Sequence, residues 1–267
     1  MKSKHLIICG CFRSGTSIVS AMLGQHSEIL MVNELWVYRN MGSVNRKIDR
    51  LREVYPKVGG SKSTIPLHIL GDRYPEFLED HKENKILDTN DILDRLERFS
   101  QKKNLLYRGD KLPEYAYDIE RLSNEYPGAK FIFCIRDPRG VIESQVKRYK
   151  YFLKEKGTKG NNYWANETVE ECILAKRNWL TFMQEWDKNK HLVDGYELYF
   201  DNLAIDPINE ARSLALFLEV NIQQLQQIFT KKFNPCGHRK WEDSLKGITS
   251  KLPDSWKEMM NKYEVKI

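Results

Sequence analysis

The sequence predicts an α/β fold, with a central, mainly parallel sheet flanked by helices. Three observations predict it. The stretch Leu6–Leu23 (LIICGCFRSGTSIVSAML) runs from an apolar segment through a small-residue turn into an apolar-periodic segment, which reads as strand, tight loop, helix. Lys130–Ile135 (KFIFCI) is a continuous apolar run of the kind buried parallel strands show, and a helical pattern resumes after it. Strand-like and helix-like segments then alternate along the chain, as a parallel sheet requires.

In chain order, Leu6, Ile7 and Ile8 open the first strand, and Ile18, Val19, Met22 and Leu23 give the following helix its apolar positions. Between Asn33 and Leu105 the pattern changes: Val44–Val54 and Asp91–Phe99 are charged, amphipathic and helical in period, broken by Gly59-Gly60, Pro66 and Pro75. Residues 35–105 are therefore expected to form a helical lobe inserted in a single domain spanning 1–267. A short strand is expected over Asn104–Tyr107, ending at Gly109-Asp110-Lys111-Leu112-Pro113, and a helix over Tyr117–Tyr126, stopped by Pro127-Gly128. After Lys130–Ile135 the strand ends at Arg136-Asp137-Pro138-Arg139-Gly140, and Val141, Ile142 and Val146 mark the next helix. Lys154–Asn162 is rich in glycine and lysine and reads as a loop, and Thr168–Trp186 as one long amphipathic helix whose Trp179 and Trp186 pack in the core. Tyr196–Phe200 reads as a strand, and Asp206-Pro207 opens a helix through Leu218.

Composition bounds the rest. With 267 residues, 41% of them hydrophobic, the chain can bury a large core. No apolar run approaches the roughly 20 residues of a membrane helix, and Met1–His5 leads into the first strand with no signal peptide read before it. The net charge of +6 is mild and its basic residues are dispersed, which suits a polyanionic ligand and argues against a dedicated nucleic-acid binder. The five cysteines are odd in number and lack metal-type spacing, so a reducing, cytoplasmic setting and no metal site are expected. His68, His81, His191 and His238 are read as surface residues.

The loop Cys11–Ser17 brings three hydroxyls, a glycine and Arg13 to the start of a helix. Unpaired N–H groups and the helix dipole favour an anion there. The loop is not a Walker A motif, because Thr16 follows Gly15 where that motif carries lysine. A second cationic strand end, Arg136 to Arg139, is expected at the same carboxyl edge of the sheet, where ligands of such folds bind.

In these segments the chain resembles the sulfotransferases that use 3′-phosphoadenosine 5′-phosphosulfate (PAPS). Arg13-Ser14-Gly15-Thr16-Ser17 is similar to that family's 5′-phosphosulfate loop, and Arg136-Asp137-Pro138-Arg139 followed by Ser144 to its 3′-phosphate site. Gly109-Asp110-Lys111-Leu112-Pro113 resembles a Gly-Asp-Lys-Thr-Pro segment of the bacterial and tyrosylprotein-type branch, with Leu112 in place of threonine. Tyr199-Phe200-Asp201-Asn202-Leu203 resembles the family's Tyr-Glu-Asp-Leu strand end. The resemblance spans Leu6–Leu218 and implies a fold like that of the P-loop nucleotide hydrolases.

It further implies transfer of a sulfuryl group from PAPS, without a metal, to a hydroxyl or, second, an amine. The acceptor would be a carbohydrate, a lipid-linked sugar or another small metabolite. Cofactor binding falls to Arg13, Ser14, Gly15, Thr16, Ser17, Arg136 and Ser144. By the match to the tyrosylprotein-type branch Glu34 is the general base, with Lys111 and Arg13 at the transferred group and His26 structural. Asp110 and Asp201 are read as structural caps, Arg139 as divided between solvent and ligand, and Arg239-Lys240-Trp241 as a candidate closing loop. Two other readings of the residues stand beside this one: a nucleotide-dependent phosphotransferase, against which the missing Walker lysine counts, and a non-catalytic anion binder, against which Glu34 and Lys111 count.

Overall fold

The computed structural model describes residues 3–54, 65, 67–156, 166–232 and 247–264. Five strands form one sheet: β1 (Lys4–Gly10), β2 (Ile29–Asn33), β3 (Tyr107–Lys111), β4 (Lys130–Ile135) and β5 (Asp194–Tyr199). Their order is β2-β3-β1-β4-β5, and every neighbouring pair is parallel. All carboxyl ends therefore lie along one edge, and the loops that leave them meet there.

Alternation along the strands splits the core into two layers. Ile7, Cys9, Leu30, Val32, Phe131 and Phe133 face one way, towards the helical insert and the helix α9 (Trp179–Asn189). Leu6, Ile8, Met31, Ile132, Cys134 and Leu198 face the other, towards α1 (Thr16–Leu23) and α11 (Pro207–Leu218). Sheets covered on both faces carry apolar residues at successive positions, which is why Leu6, Ile7 and Ile8 are all fully buried. Truncating any one of them to alanine is expected to cost roughly 2–5 kcal/mol.

Between β2 and β3 the described elements are all helical: α2 (Met41–Val54), α3 (Leu67–Leu70), α4 (Tyr74–Glu83) and α5 (Thr89–Phe99). Asp88 caps α5 by accepting the Asp91 amide at 2.9 Å. α6 (Ile119–Glu125) precedes β4, and α7 (Pro138–Lys156) follows it.

Several expectations shift. β3 starts at Tyr107 and contains Gly109-Asp110-Lys111 rather than ending before them. Glycine is required there by close approach, because a Cβ at Gly109 would stand 1.7 Å from the Leu6 carbonyl oxygen. Ile29–Asn33, a segment with no strand expected, is the edge strand β2. The helix expected over Thr168–Trp186 is two, α8 (Val169–Leu174) and α9. Asn178 breaks it: its side chain accepts the Thr181 amide at 3.0 Å and donates to the Ile173 carbonyl at 2.6 Å, ending one helix and capping the next. The segment expected as helix from Tyr117 begins as a 3₁₀ turn over Pro113–Tyr117. β5 ends at Tyr199, so Phe200 opens the helix α10 (Phe200–Ile205).

His81 is buried, not a surface residue, and its ring contacts Asp49 at 3.2 Å. Trp179 and Trp186 are buried as expected, and the terminal helix Asp254–Lys262 packs Trp256 against Trp179 at 5.4 Å. α7 runs through Lys156, and the rest of the expected loop to Asn162 lies outside the described residues, as do Arg239, Lys240 and Trp241. Among the described residues no helix is long and apolar enough to cross a membrane.

Candidate active site

The first loop is built by backbone geometry before side chains contribute. Arg13 and Gly15 both take left-handed conformations, at φ 70° and 92°. Gly15 is confined further, since a Cβ there would stand 2.1 Å from the Phe200 ring. This turn starts α1 at Thr16, and no backbone hydrogen bond of the described residues uses the Gly15, Thr16 or Ser17 amide. Helices leave their first N–H groups unpaired, and here they open at the strand edge. Ser14 Oγ lies buried beside the Cys11 thiol without an oxygen or nitrogen partner, while Ser17 is exposed.

The second cationic strand end folds against the first. Arg136 Nη1 donates to the Arg13 carbonyl at 2.9 Å, and its guanidinium lies over the Phe200 ring at 4.9 Å. Trp179 Nε1 donates to the Arg136 carbonyl at 3.0 Å, fixing the backbone where β4 ends. Arg13 Nε in turn donates to Ser144 Oγ at 2.9 Å. The loop after β1 and the unit after β4 are thus one assembly, with Phe200 seated against both. Asp201 supports it by accepting the Asp137 amide at 2.9 Å, and burial pushes its carboxyl up. Arg139 folds back onto Asp137, with Nε to Oδ1 at 2.9 Å and Oδ2 at 3.0 Å, so Asp137 carries the nearest countercharge of that arginine.

The structure adds Arg148 to this cluster. It lies four residues beyond Ser144 on α7 and so on the same face. Its guanidinium stacks on Phe152 at 4.2 Å and Tyr151 at 4.9 Å. Burial and the Arg148 charge push the Arg13 guanidinium down, against a pull from Glu34. The spacing from Ser144 was the available signal for Arg148. Nothing in the local pattern marked Phe200 as the floor of both loops.

On the other side of Arg13 stand Lys111 and Glu34. Lys111 ends β3 and is wholly buried, and its Nζ donates to Ser17 Oγ at 2.9 Å and to Glu34 Oε1 at 2.5 Å. Its direction follows from register: Lys111 pairs with Ile8, on the sheet face that carries α1. Glu34, directly after β2, is about half exposed, at 47% of its side chain, and so combines a buried cation with access from outside. Lys47 Nζ, on α2, donates to the Glu34 carbonyl at 2.5 Å and lies over the Trp36 ring at 4.5 Å. All predicted site residues therefore line one carboxyl edge, in the order Glu34, Lys111, Ser17, Arg13, Ser144 and Arg136. His26 lies away from it, buried, its ring within 3.4 Å of the Asn221 carbonyl. Among the described residues no group of three or more His, Cys, Asp or Glu side chains is placed to hold a metal ion.

Such an edge can hold an extended polyanion. Cations and hydroxyls stand at two strand ends, and a carboxylate with a buried ammonium stands at the far side.

By shape the chain is similar to the sulfotransferase domain of the olefin synthase from Synechococcus PCC 7002, with TM-score 0.61, 18% identity, and 100% of this chain and 96% of that one covered. It is also similar to a sulfotransferase from Alicyclobacillus acidocaldarius, with TM-score 0.52, 14% identity, and 98% and 96% covered. At these identities the likeness speaks for a shared fold. By sequence no curated protein matches the chain. A model of the sulfotransferase family, however, matches residues 5–224, from β1 into α12 (Ile222–Lys232), and so takes in every site residue above. The chain belongs to the sulfotransferase family.

Proposed function

We propose that the chain moves a sulfuryl group from PAPS to a hydroxyl of a carbohydrate, lipid-linked sugar or other small metabolite, with Glu34 as general base. The observation that carries the reading is the continuity of the edge: Arg13 bonds Ser144 on one side, and Ser17, in the same loop, bonds Lys111 and through it Glu34. A donor with separated anionic ends fits it. The Arg13–Ser17 loop suits the 5′-phosphosulfate, with the open amides of Gly15, Thr16 and Ser17 and the buried Ser14 hydroxyl. Arg136 and Ser144 suit the 3′-phosphate, since a guanidinium offers a planar fork to phosphate oxygens.

When bound, PAPS supplies the activated sulfuryl group. The residues do the rest. Glu34 takes the acceptor's proton as its oxygen bonds to sulfur. Lys111 and Arg13 stand where charge develops on the oxygens of the transferred and departing groups, which leave as the ester and adenosine 3′,5′-bisphosphate. Positioning by fixed donors is the main catalytic device expected of such a transfer.

Calorimetry with adenosine 3′,5′-bisphosphate against ATP and magnesium tests the donor site. Tighter binding of the bisphosphate is expected, and tighter ATP binding refutes the reading. Glu34→Gln tests the base: turnover should fall by about 100-fold or more, with bisphosphate affinity kept. Unchanged turnover removes Glu34 from that role.

A further inference from the structure

We infer that Asp110 is a positioning residue for the base: from the opposite face of β3 to Lys111, its carboxylate holds the turn that presents Glu34. The inference rests on the reading of Glu34 as general base. β2 ends at Asn33, and the chain then turns through two left-handed residues, Glu34 at φ 55° and Trp36 at φ 71°. Neither is glycine, so something must hold this conformation.

Asp110 supplies the hold. Its Oδ1 accepts the Leu35 amide at 3.2 Å, and its Oδ2 accepts the Trp36 amide at 2.8 Å and the Val37 amide at 3.3 Å. Three successive amides converging on one carboxylate form an anion-binding concavity, occupied here by a side chain. Tyr115 Oη donates to Oδ2 at 2.7 Å, and Asp110 is fully buried. Two further bonds clamp Glu34 itself: its amide donates to the Lys111 carbonyl at 2.8 Å, and its carbonyl accepts from Lys47. Asp110 and Lys111 are adjacent in a strand, so their side chains leave on opposite faces. One dipeptide thus fixes the base's backbone from one side and meets its carboxylate from the other. A buried carboxylate needs donors wherever it sits; here all three backbone donors come from residues 35–37, directly after the base.

The test combines amide hydrogen exchange with kinetics. In the unaltered protein the Leu35, Trp36 and Val37 amides should exchange slowly, and in Asp110→Asn about tenfold faster or more. Release of adenosine 3′,5′-bisphosphate from PAPS, with methyl glucoside as a sugar-hydroxyl acceptor that must give up a proton, should fall about tenfold or more in kcat. Affinity for the bisphosphate should stay within about twofold. Because the effect runs through Glu34, Asp110→Asn should cost nothing further in the Glu34→Gln background. Unchanged exchange at 35–37, or a further loss in that background, overturns the inference. If Glu34→Gln alone leaves the rate intact, the base reading fails separately, and the positioning inference falls with it; exchange at 35–37 then reports only whether Asp110 holds the turn. Should Asp110→Asn not fold, Tyr115→Phe removes the hydroxyl that holds Asp110 Oδ2 and should give the same pattern in milder form, and its absence overturns the inference.

Discussion

Replacing Arg136 with alanine tests the proposed 3′ end of the donor site. The guanidinium is fixed before any ligand arrives, by its bond to the Arg13 carbonyl at 2.9 Å and by the Phe200 ring beneath it at 4.9 Å. Little ordering remains to oppose binding, so most of the interaction should appear as affinity. A planar fork on a phosphate makes two charge-assisted bonds, each contributing about 1.5 kcal/mol. Their loss amounts to about 3 kcal/mol, or roughly 150-fold in Kd for adenosine 3′,5′-bisphosphate. The 5′-monophosphate lacks the group these bonds would hold, and should weaken by no more than about fivefold, through loosening of the Arg13 loop. Ser144→Ala, which removes one neutral hydroxyl, should cost at most about tenfold. Isothermal titration of both nucleotides at one fixed salt concentration reads the difference directly, since screening alters every such contact. Equal losses for the two nucleotides would show that Arg136 serves the loop and not the 3′-phosphate.

Gly15→Ala should lower both the melting temperature and the affinity for the bisphosphate, because the backbone is left-handed and a methyl group would stand 2.1 Å from Phe200; an unchanged melting temperature and affinity refute this. Lys102→Met should destabilise the fold by about 1–3 kcal/mol in urea titrations, since Lys102 Nζ donates to the carbonyls of Gly24, His26 and Ile29 at 2.5, 2.7 and 2.5 Å; an unchanged midpoint sinks it. His26 and His81 are fully buried, and burial pushes both rings below the usual histidine value. The unfolded chain therefore takes up those protons first, so stability should be complete above about pH 6.5 and fall as the solution is acidified. His81→Asn should flatten that fall in urea titrations from pH 7.5 to 5, and an unaltered pH dependence refutes the assignment.

β4 was legible because a covered central strand is apolar along most of its length, and the five residues after Lys130, FIFCI, all are. The loop after β1 was legible for a different reason: small residues and hydroxyls before a helical period have few other uses. β3 was misplaced because it breaks the rule that revealed β4. Arg108, Asp110 and Lys111 are buried charges in a central strand, and Gly109 between them reads as a turn. Each charge is answered from a distant part of the chain: Arg108 by Asp94 and Glu97 of α5, Asp110 by the amides of residues 35–37, and Lys111 by Glu34 and Ser17. Local pattern cannot supply those partners, so the strand looked like a loop.

The buried charges of β3 bear on the chemistry. A buried, unpaired charge is too costly to keep, and a paired one seldom adds stability over an apolar residue of the same volume. Three of them within one five-residue strand therefore need a reason other than packing. Two of the three converge on the same turn, one through its backbone and the other through the Glu34 carboxylate. The third ties the strand to α5 of the helical insert that returns the chain from β2 to β3. β3 thus sets where the insert begins and ends relative to the Arg13 loop, and with it the distance between the candidate base and the proposed site of the sulfuryl group. Substitutions on β3 should accordingly change turnover before they change donor affinity, whereas those at Arg13, Ser144 and Arg136 should change donor affinity first; donor titrations run beside single-turnover rates separate the two classes.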